Sequence, residues 1–260
     1  MAANPAPSKA CGEQSRTVEG ENDRVRRAYE KRKAQGLDQR YCPFNKGFLQ
    51  SVQERERVLL SMLARTLGTQ LSGKSVLDIG CGIGATLLPM LQYGFQAQDC
   101  FGIDILQDRT AAARQRLPNI TFQCCSAQQM PFTENSFDLA TMFTCLSSIL
   151  SDSVRAEVCR ESRRVVKPGG WVLIYDFRVN NPFNADVRAV TLKELRRYYP
   201  GCRYITKTLT LLPMLGRMVG KYCPALCSLL SLCPALRTHR MTMFQKPERK
   251  ISDLRLPISD

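Results

Sequence analysis

Apolar positions in this chain change period along its length. Within residues 50–67, Val58, Leu59, Met62, Leu63 and Leu67 fall on one helical face, with Glu54, Arg55, Glu56 and Arg57 on the polar side, which predicts an amphipathic helix. From residue 75 short apolar runs alternate with helix-like stretches. The runs predict strands over 75–79, 100–103, 120–124, 137–143 and 170–175, and the stretches between them predict helices over 85–93, 108–117 and 152–165. That rhythm implies right-handed βαβ crossovers and an α/β fold: a doubly wound, mostly parallel sheet with helices on both faces. Ligands of such sheets sit at the carboxyl ends of the strands.

After Asp176 the rhythm changes. Thr191 and Glu194 have capping-box spacing, opening a short helix that Pro200 stops. Residues 203–211 and 238–245 read as strands, and the proline-punctuated apolar segment between them as broken helices, a helical C-terminal lid over about 209–237. Residues 1–22 lack periodicity and read as a mobile tail. The run at 24–33, RVRRAYEKRK, carries six basic residues and one acid and is expected to be a solvated helix within an N-terminal helical segment, 23–70. The main domain is then expected over 71–247, with a second tail at 248–260.

Composition narrows the partners. At 260 residues and 44% hydrophobic the chain can bury a full core, which excludes disorder throughout. The net charge of +14 points to an anionic partner, and residues 177–260, with 15 basic and 5 acidic side chains, carry most of it. Twelve cysteines at irregular spacing, with no pair of CxxC units, argue against a structural zinc site, and no metal is expected. The N-terminus has no apolar signal-peptide core, so a reducing, cytoplasmic setting is expected. The longest uncharged apolar stretch, 222–236, contains Pro224 and Pro234 and is too short for a spanning helix.

The strongest chemical signal is VLDIGCGIGA, residues 76–85, after a predicted strand and opening a helix. Gly80, Gly82 and Gly84 let the backbone turn tightly and approach a ligand closely. Asp104 ends the next strand, where its carboxylate can accept both hydroxyls of a ribose. Together they mark a nucleoside cofactor. Ala85 also satisfies the looser dinucleotide pattern GxGxxG/A, which keeps a nicotinamide oxidoreductase in view. Asp78, inside the motif, instead suits a cofactor carrying an ammonium group, and MPFTENSFDLATMF (130–143) and RVVKPGGWVLIYD (164–176) follow downstream.

With these three blocks in order over about 74–176, the sequence resembles the class I S-adenosylmethionine-dependent methyltransferases, in the branch of quinone-biosynthesis-like and small-molecule enzymes. The resemblance implies a Rossmann-like domain with S-adenosyl-L-methionine as cofactor. It places Asp78, Gly80, Cys81, Gly82 and Gly84 at the methionine end, Asp104 on the ribose, Ile105 on the adenine, and Phe143, ending the fourth strand, against the cofactor as well. Where the family often carries a carboxylate for the adenine amino group, this chain has Ser126, which leaves the backbone of Ala127 as the expected contact. Arg40–Asn45, Tyr175–Pro182 and Leu236–His239 are similar, less specifically, to bacterial methyltransferases of surface-glycan or secondary pathways.

Methyl transfer needs alignment and exclusion of water, and a base only where the acceptor must lose a proton. The single histidine, His239, is the obvious candidate, although a lone histidine is more often structural. Asp176 and Arg178 follow the fifth strand and can orient an acceptor or simply pair in a loop. Tyr41 and Asn45 are placed to close over the cofactor. The expected function is methylation of a small-molecule acceptor at oxygen: a glycan, a lipid-linked compound or a secondary metabolite. Two rivals stand beside it. One is a nucleic-acid methyltransferase, disfavoured because the fourth strand ends MFTCLSS without base-stacking text. The other is a non-catalytic protein that keeps the fold for binding. Basic residues around the apolar lid add a contact with an anionic membrane surface to the expectations.

Overall fold

The computed structural model describes residues 9–36, 44–182, 184–212, 215–216, 219 and 224–248, and within these the side chains of all but 9–19, 224, 225 and 228. The first part of the chain gives α1 (Lys9–Ala34), α2 (Lys46–Thr66), β1 (Val76–Ile79), α3 (Leu87–Gln92), β2 (Cys100–Asp104), α4 (Gln107–Arg116) and β3 (Thr121–Cys124). The second gives β4 (Phe137–Phe143), α5 (Asp152–Val165), β5 (Val166–Phe177), α6 (Leu192–Tyr198), β6 (Arg203–Leu211), α7 (Pro224–Ser231) and β7 (Arg237–Gln245).

The seven strands form one sheet in the order β3-β2-β1-β4-β5-β7-β6. Strands β1 to β5 run parallel. β7 lies antiparallel between β5 and β6. Because side chains alternate across a strand, the sheet feeds two cores. Val76, Leu139, Leu173 and Met243 pack on one face with Leu59, Met62 and Leu63 of α2. Leu77, Ala140, Val172 and Ile174 pack on the other with Val154, Val158 and Val165 of α5. Each of the buried Val, Leu, Ile and Met side chains among them contributes about 2 kcal/mol relative to exposure. Gly102 shows how tight the cofactor side is: a Cβ there would lie 2.6 Å from the Phe122 ring.

Helix starts follow the sequence closely. Thr191 caps α6 by accepting from the Glu194 amide, 3.1 Å, and Ser151 caps α5 by accepting from Val154. The departures are informative. α1 begins at Lys9, inside the segment read as a tail, and α3 begins at Leu87, two residues later than predicted, because 80–86 are spent on the turn above the sheet. β5 extends back to Val166. In the expected lid, α7 and the short turn Pro234–Leu236 are helical, while 213–214, 217–218 and 220–223 lie outside the described residues. Tyr41 lies outside them too. Asn45 is the N-cap of α2, accepting from the Phe48 amide at 3.2 Å.

Candidate cofactor and acceptor site

At the carboxyl end of β1 the chain turns over the sheet edge and is tied to β2. The amides of Gly80 and Cys81 both donate to the Ile103 carbonyl, at 2.8 and 2.9 Å. Gly80 and Gly82 have φ of +74° and +54°, a left-handed backbone that favours glycine. A Cβ on Gly80 would sit 2.8 Å from the Cys145 sulfur, so the loop leaves no room for a side chain. Asp104 accepts from the Gly82 amide through Oδ2, 2.8 Å, and from the Leu106 amide through Oδ1, 2.9 Å. Both oxygens keep a lone pair free.

Asp78 is 1% exposed. Its Oδ1 accepts from the Thr141 hydroxyl, 2.7 Å, while Oδ2 is buried without a partner in hydrogen-bond geometry, the Thr86 hydroxyl pulling on it only weakly. Burial pushes this carboxyl up to about 7 against the Thr141 bond, and the nearby Asp104 adds to the rise. Burial likewise raises Asp104, opposed by its two amide bonds. A buried carboxylate oxygen with nothing to accept from, beside a glycine cradle, fits a cationic amino group, and the open lone pairs of Asp104 fit a pair of hydroxyls. S-adenosylmethionine carries both, so the residues present fit that cofactor.

Gly80, Cys81, Gly82, Asp104 and Ile105 line one end of a cavity of about 2250 Å³. Single small-molecule sites span roughly 300–1,000 Å³, so there is space for a cofactor and a second ligand. Ser126 and Ala127 line the same end; the Ser126 hydroxyl is shared with Gln128, whose amide group donates to Glu157 at 2.7 Å. Asp78 and Gly84 stand behind the wall rather than in it. Phe143 marks the passage to the far end, where Glu54, Arg55, Tyr175, Thr210 and His239 line the wall.

Sequence reasoning missed much of this far end. The polar face of α2 looks solvent-bound in the sequence, yet Glu54, Arg55 and Arg57 all line the cavity. Glu54 accepts from the Thr210 amide at 3.0 Å, and burial raises its carboxyl although Thr210, Arg237 and Arg57 pull it down. Thr210 has φ +67° and Thr144 +50°, a conformation that is strained for β-branched residues, and both line the cavity. The kink at Thr210 aims its amide at Glu54 and its hydroxyl at the Tyr175 hydroxyl, 2.8 Å away. The cavity-wall role of α1, expected only as a solvated helix over 24–33, was missed as well. The helix forms a cavity wall, held by Glu21 accepting from the Leu150 amide at 2.6 Å and by Arg24 donating to Glu21 and to the Ser148 carbonyl. Arg109 lies over the Tyr29 ring, 4.7 Å from its centroid.

The three catalytic candidates separate. His239 lines the cavity, stacked on Tyr175 with centroids 5.0 Å apart, and its Nδ1 is hydrogen-bonded to the Thr238 hydroxyl at 2.9 Å. Burial, with Arg55 nearby, pushes the imidazole down to about 3, so it stays neutral and is a weak base. Asp176 is pushed up to about 6 by burial but is spent on the amides of Ser147 and Phe177. Arg178 donates to the carbonyls of Pro234 and Arg237. These two residues tie loops together, form no ion pair with each other, and do not line the cavity.

Residues 76–170 match a family described as a methyltransferase domain. Over 116 residues the chain is 31% identical to the sterol 4-C-methyltransferase strm-1 of Caenorhabditis elegans, covering 42% of this chain and 33% of that one. It is 32% identical to the tRNA N(3)-methylcytidine methyltransferase Mettl2 of Drosophila melanogaster, covering 41% and 35%. It is also 32% identical to the demethylmenaquinone methyltransferase of Tropheryma whipplei, covering 50% of each. The chain thus spans a third to a half of the length of these curated relatives. Among solved structures, phosphoethanolamine N-methyltransferase 2 of Haemonchus contortus in complex with S-adenosyl-L-methionine has a similar fold, with a TM-score of 0.54 at 19% identity, covering 74% of this chain and 53% of that one.

Proposed function

Because this chain carries a class I S-adenosylmethionine-dependent methyltransferase domain, we propose that it methylates a small-molecule acceptor, at oxygen, in the chamber beyond Phe143. The cofactor supplies an electrophilic methyl group on a sulfonium centre. The observation that carries the reading is the continuity of one cavity from Gly80, Gly82 and Asp104, past Phe143, to Glu54, Tyr175 and His239. In that arrangement Asp104 holds the ribose hydroxyls, Asp78 attracts the amino group from behind the glycine turn, and α1 keeps water from the transfer path. Glu54 takes the acceptor's proton: it lines the chamber, and its raised carboxyl is closer to a neutral working pH than His239 is.

Acceptors named for the relatives, a sterol and a menaquinone precursor, support a bulky apolar acceptor, glycan or lipid-linked compounds included. Leu232, which lines the chamber and is 67% exposed, and Leu229 of α7, 63% exposed, support an approach from an anionic bilayer. No described helix is long and apolar enough to cross a membrane. A second reading, RNA as the acceptor, draws on the basic residues of α1 at the cavity wall and on the tRNA-modifying relative.

Methyl-labelled S-adenosylmethionine, incubated with the protein and with separated lipid, small-molecule and RNA fractions of a cell extract, tests these readings. Label in an alkali-stable small-molecule or lipid product is expected. Label confined to RNA would replace the first reading with the second, and no incorporation into any fraction would remove both.

A further inference from the structure

Among the described residues, the far chamber holds a cation with no carboxylate paired to it. Arg55 lines the cavity with its guanidinium carbon 5.8 Å from the Phe143 ring centroid and 5.6 Å from that of Tyr175. Besides these ring contacts it acts on Tyr93 and His239 through its charge alone, and it forms no hydrogen bond or ion pair with a described residue. The neighbouring carboxylate, Glu54, is turned to the Thr210 amide, and the neighbouring cation, Arg237, is spent on the carbonyls of Ser231 and Thr208. A half-buried guanidinium keeps a planar fork of donors matched to a carboxylate, and here that fork is unused.

Around it the wall is aromatic. Phe143 and Tyr175 lie 5.6 Å apart, His239 stacks on Tyr175 at 9° between ring planes, and Phe177 sits 4.2 Å from His239. With Nδ1 committed to Thr238, the second ring nitrogen of His239 has no partner among the described residues. Since the imidazole is neutral, it does not compete with Arg55 for an anion. These groups belong to β4, β5 and β7, across the sheet from β2, whose Asp104 faces the ribose end.

We propose that Arg55 is the specificity-determining anchor for the carboxylate of a planar, ring-bearing acceptor, whose ring lies against the Phe143, Tyr175, Phe177 and His239 wall. The assignment of this chamber to the acceptor rests on the methyltransferase reading. A carboxylate also exists on the methionine end of the cofactor, and the test separates the two sources.

Full-length protein, with and without saturating S-adenosylhomocysteine, is titrated calorimetrically with 2-naphthoate and with the uncharged 2-naphthamide. Wild type should bind naphthoate at least tenfold more tightly than the amide. In Arg55→Gln that preference should vanish while the amide and S-adenosylhomocysteine bind as in wild type, and Arg55→Lys should restore part of it. Equal binding of the two probes by wild type, or a preference that survives Arg55→Gln, overturns the proposal. Loss of S-adenosylhomocysteine affinity in Arg55→Gln overturns it in favour of the cofactor's own carboxylate. Failure of wild type to bind S-adenosylhomocysteine at all would instead strike the methyltransferase reading, and the naphthoate preference measured without it would still decide the role of Arg55.

Discussion

The two ends of the cavity are electrostatic opposites built by different means. The β1–β2 end is built mainly from one contiguous stretch, 76–106, with Ser126, Ala127 and α1 beside it, and has two carboxylates raised by burial, Asp104 in the wall and Asp78 behind it, so it calls for a cation and hydroxyl donors. The far end draws on α2, β4, β5, β6 and β7, and presents an unpaired guanidinium, a neutral imidazole and one raised carboxylate among aromatic rings. A ligand shared by a whole fold family can be held by one local motif. The far chamber, the proposed acceptor site, depends instead on residues up to 185 positions apart in sequence, as Glu54 and His239 are, so it can vary without touching the motif.

Four substitutions probe this contrast, from the largest effect down. Glu54→Gln should lower kcat by about 10² to 10³, typical of a lost general base, with KM nearly unchanged. A kcat within threefold of wild type would remove the proton-accepting role and leave the far end a binding surface only. Asp104→Ala should weaken S-adenosylhomocysteine binding by roughly 100-fold, since charge-assisted bonds to two hydroxyls are lost and the Gly82 and Leu106 amides lose their acceptor. Calorimetry reads it directly, and unchanged affinity would erase the contrast by emptying the β2 end of its ribose role.

The third concerns pH. In the fold Asp78 sits near 7, above its ordinary 3.8, so its ionisation is costly there: its contribution to stability is full below about 3.8 and declines as pH rises to about 7. A bound ammonium removes that cost, so S-adenosylhomocysteine affinity should rise about tenfold from pH 6 to pH 8. Asp78→Asn should flatten the profile, and a flat wild-type profile would mean that the carboxylate does not meet the amino group. The smallest effect is at α1. Glu21 is pushed up by burial but held lower, on balance, by Arg24 and the Leu150 amide. Glu21→Ala should loosen the helix, raising proteolysis within α1 and the cofactor Kd a few-fold; identical digestion patterns would show that α1 is held by other contacts.

The same contrast explains what the sequence revealed. The glycine turn, Asp104, the positions of the five parallel strands and the Thr191 cap are local features whose periods and spacings carry their own physics. The helices α1 and α2 were legible, but the cavity role of their polar faces was not, because the decisive partners are remote: Glu21 meets Leu150, and Glu54 meets Thr210, across more than 120 residues. Arg55 looked like one more charge on a solvent face. His239 drew attention by being alone, whereas its stacking and depressed basicity follow from strands that no spacing rule joins. Asp176 and Arg178 stood at the ligand-bearing edge in sequence, but backbone amides and carbonyls claim both.

β7 follows β6 in the chain and yet lies between β5 and β6. During synthesis the parallel half, β1 to β5, is complete while β5 still has a bare edge, and the seat for β6 does not exist until 237–245 have emerged and paired with β5. The wall carrying Thr210 and His239 is therefore the last to assemble, and a chain stopped before 237 would keep its glycine cradle while exposing an unpaired strand edge of the kind that nucleates aggregation. On the proposed reading, acceptor recognition is in this sense the final event of folding, and any slowing of that strand's insertion would be felt as solubility before it was felt as activity.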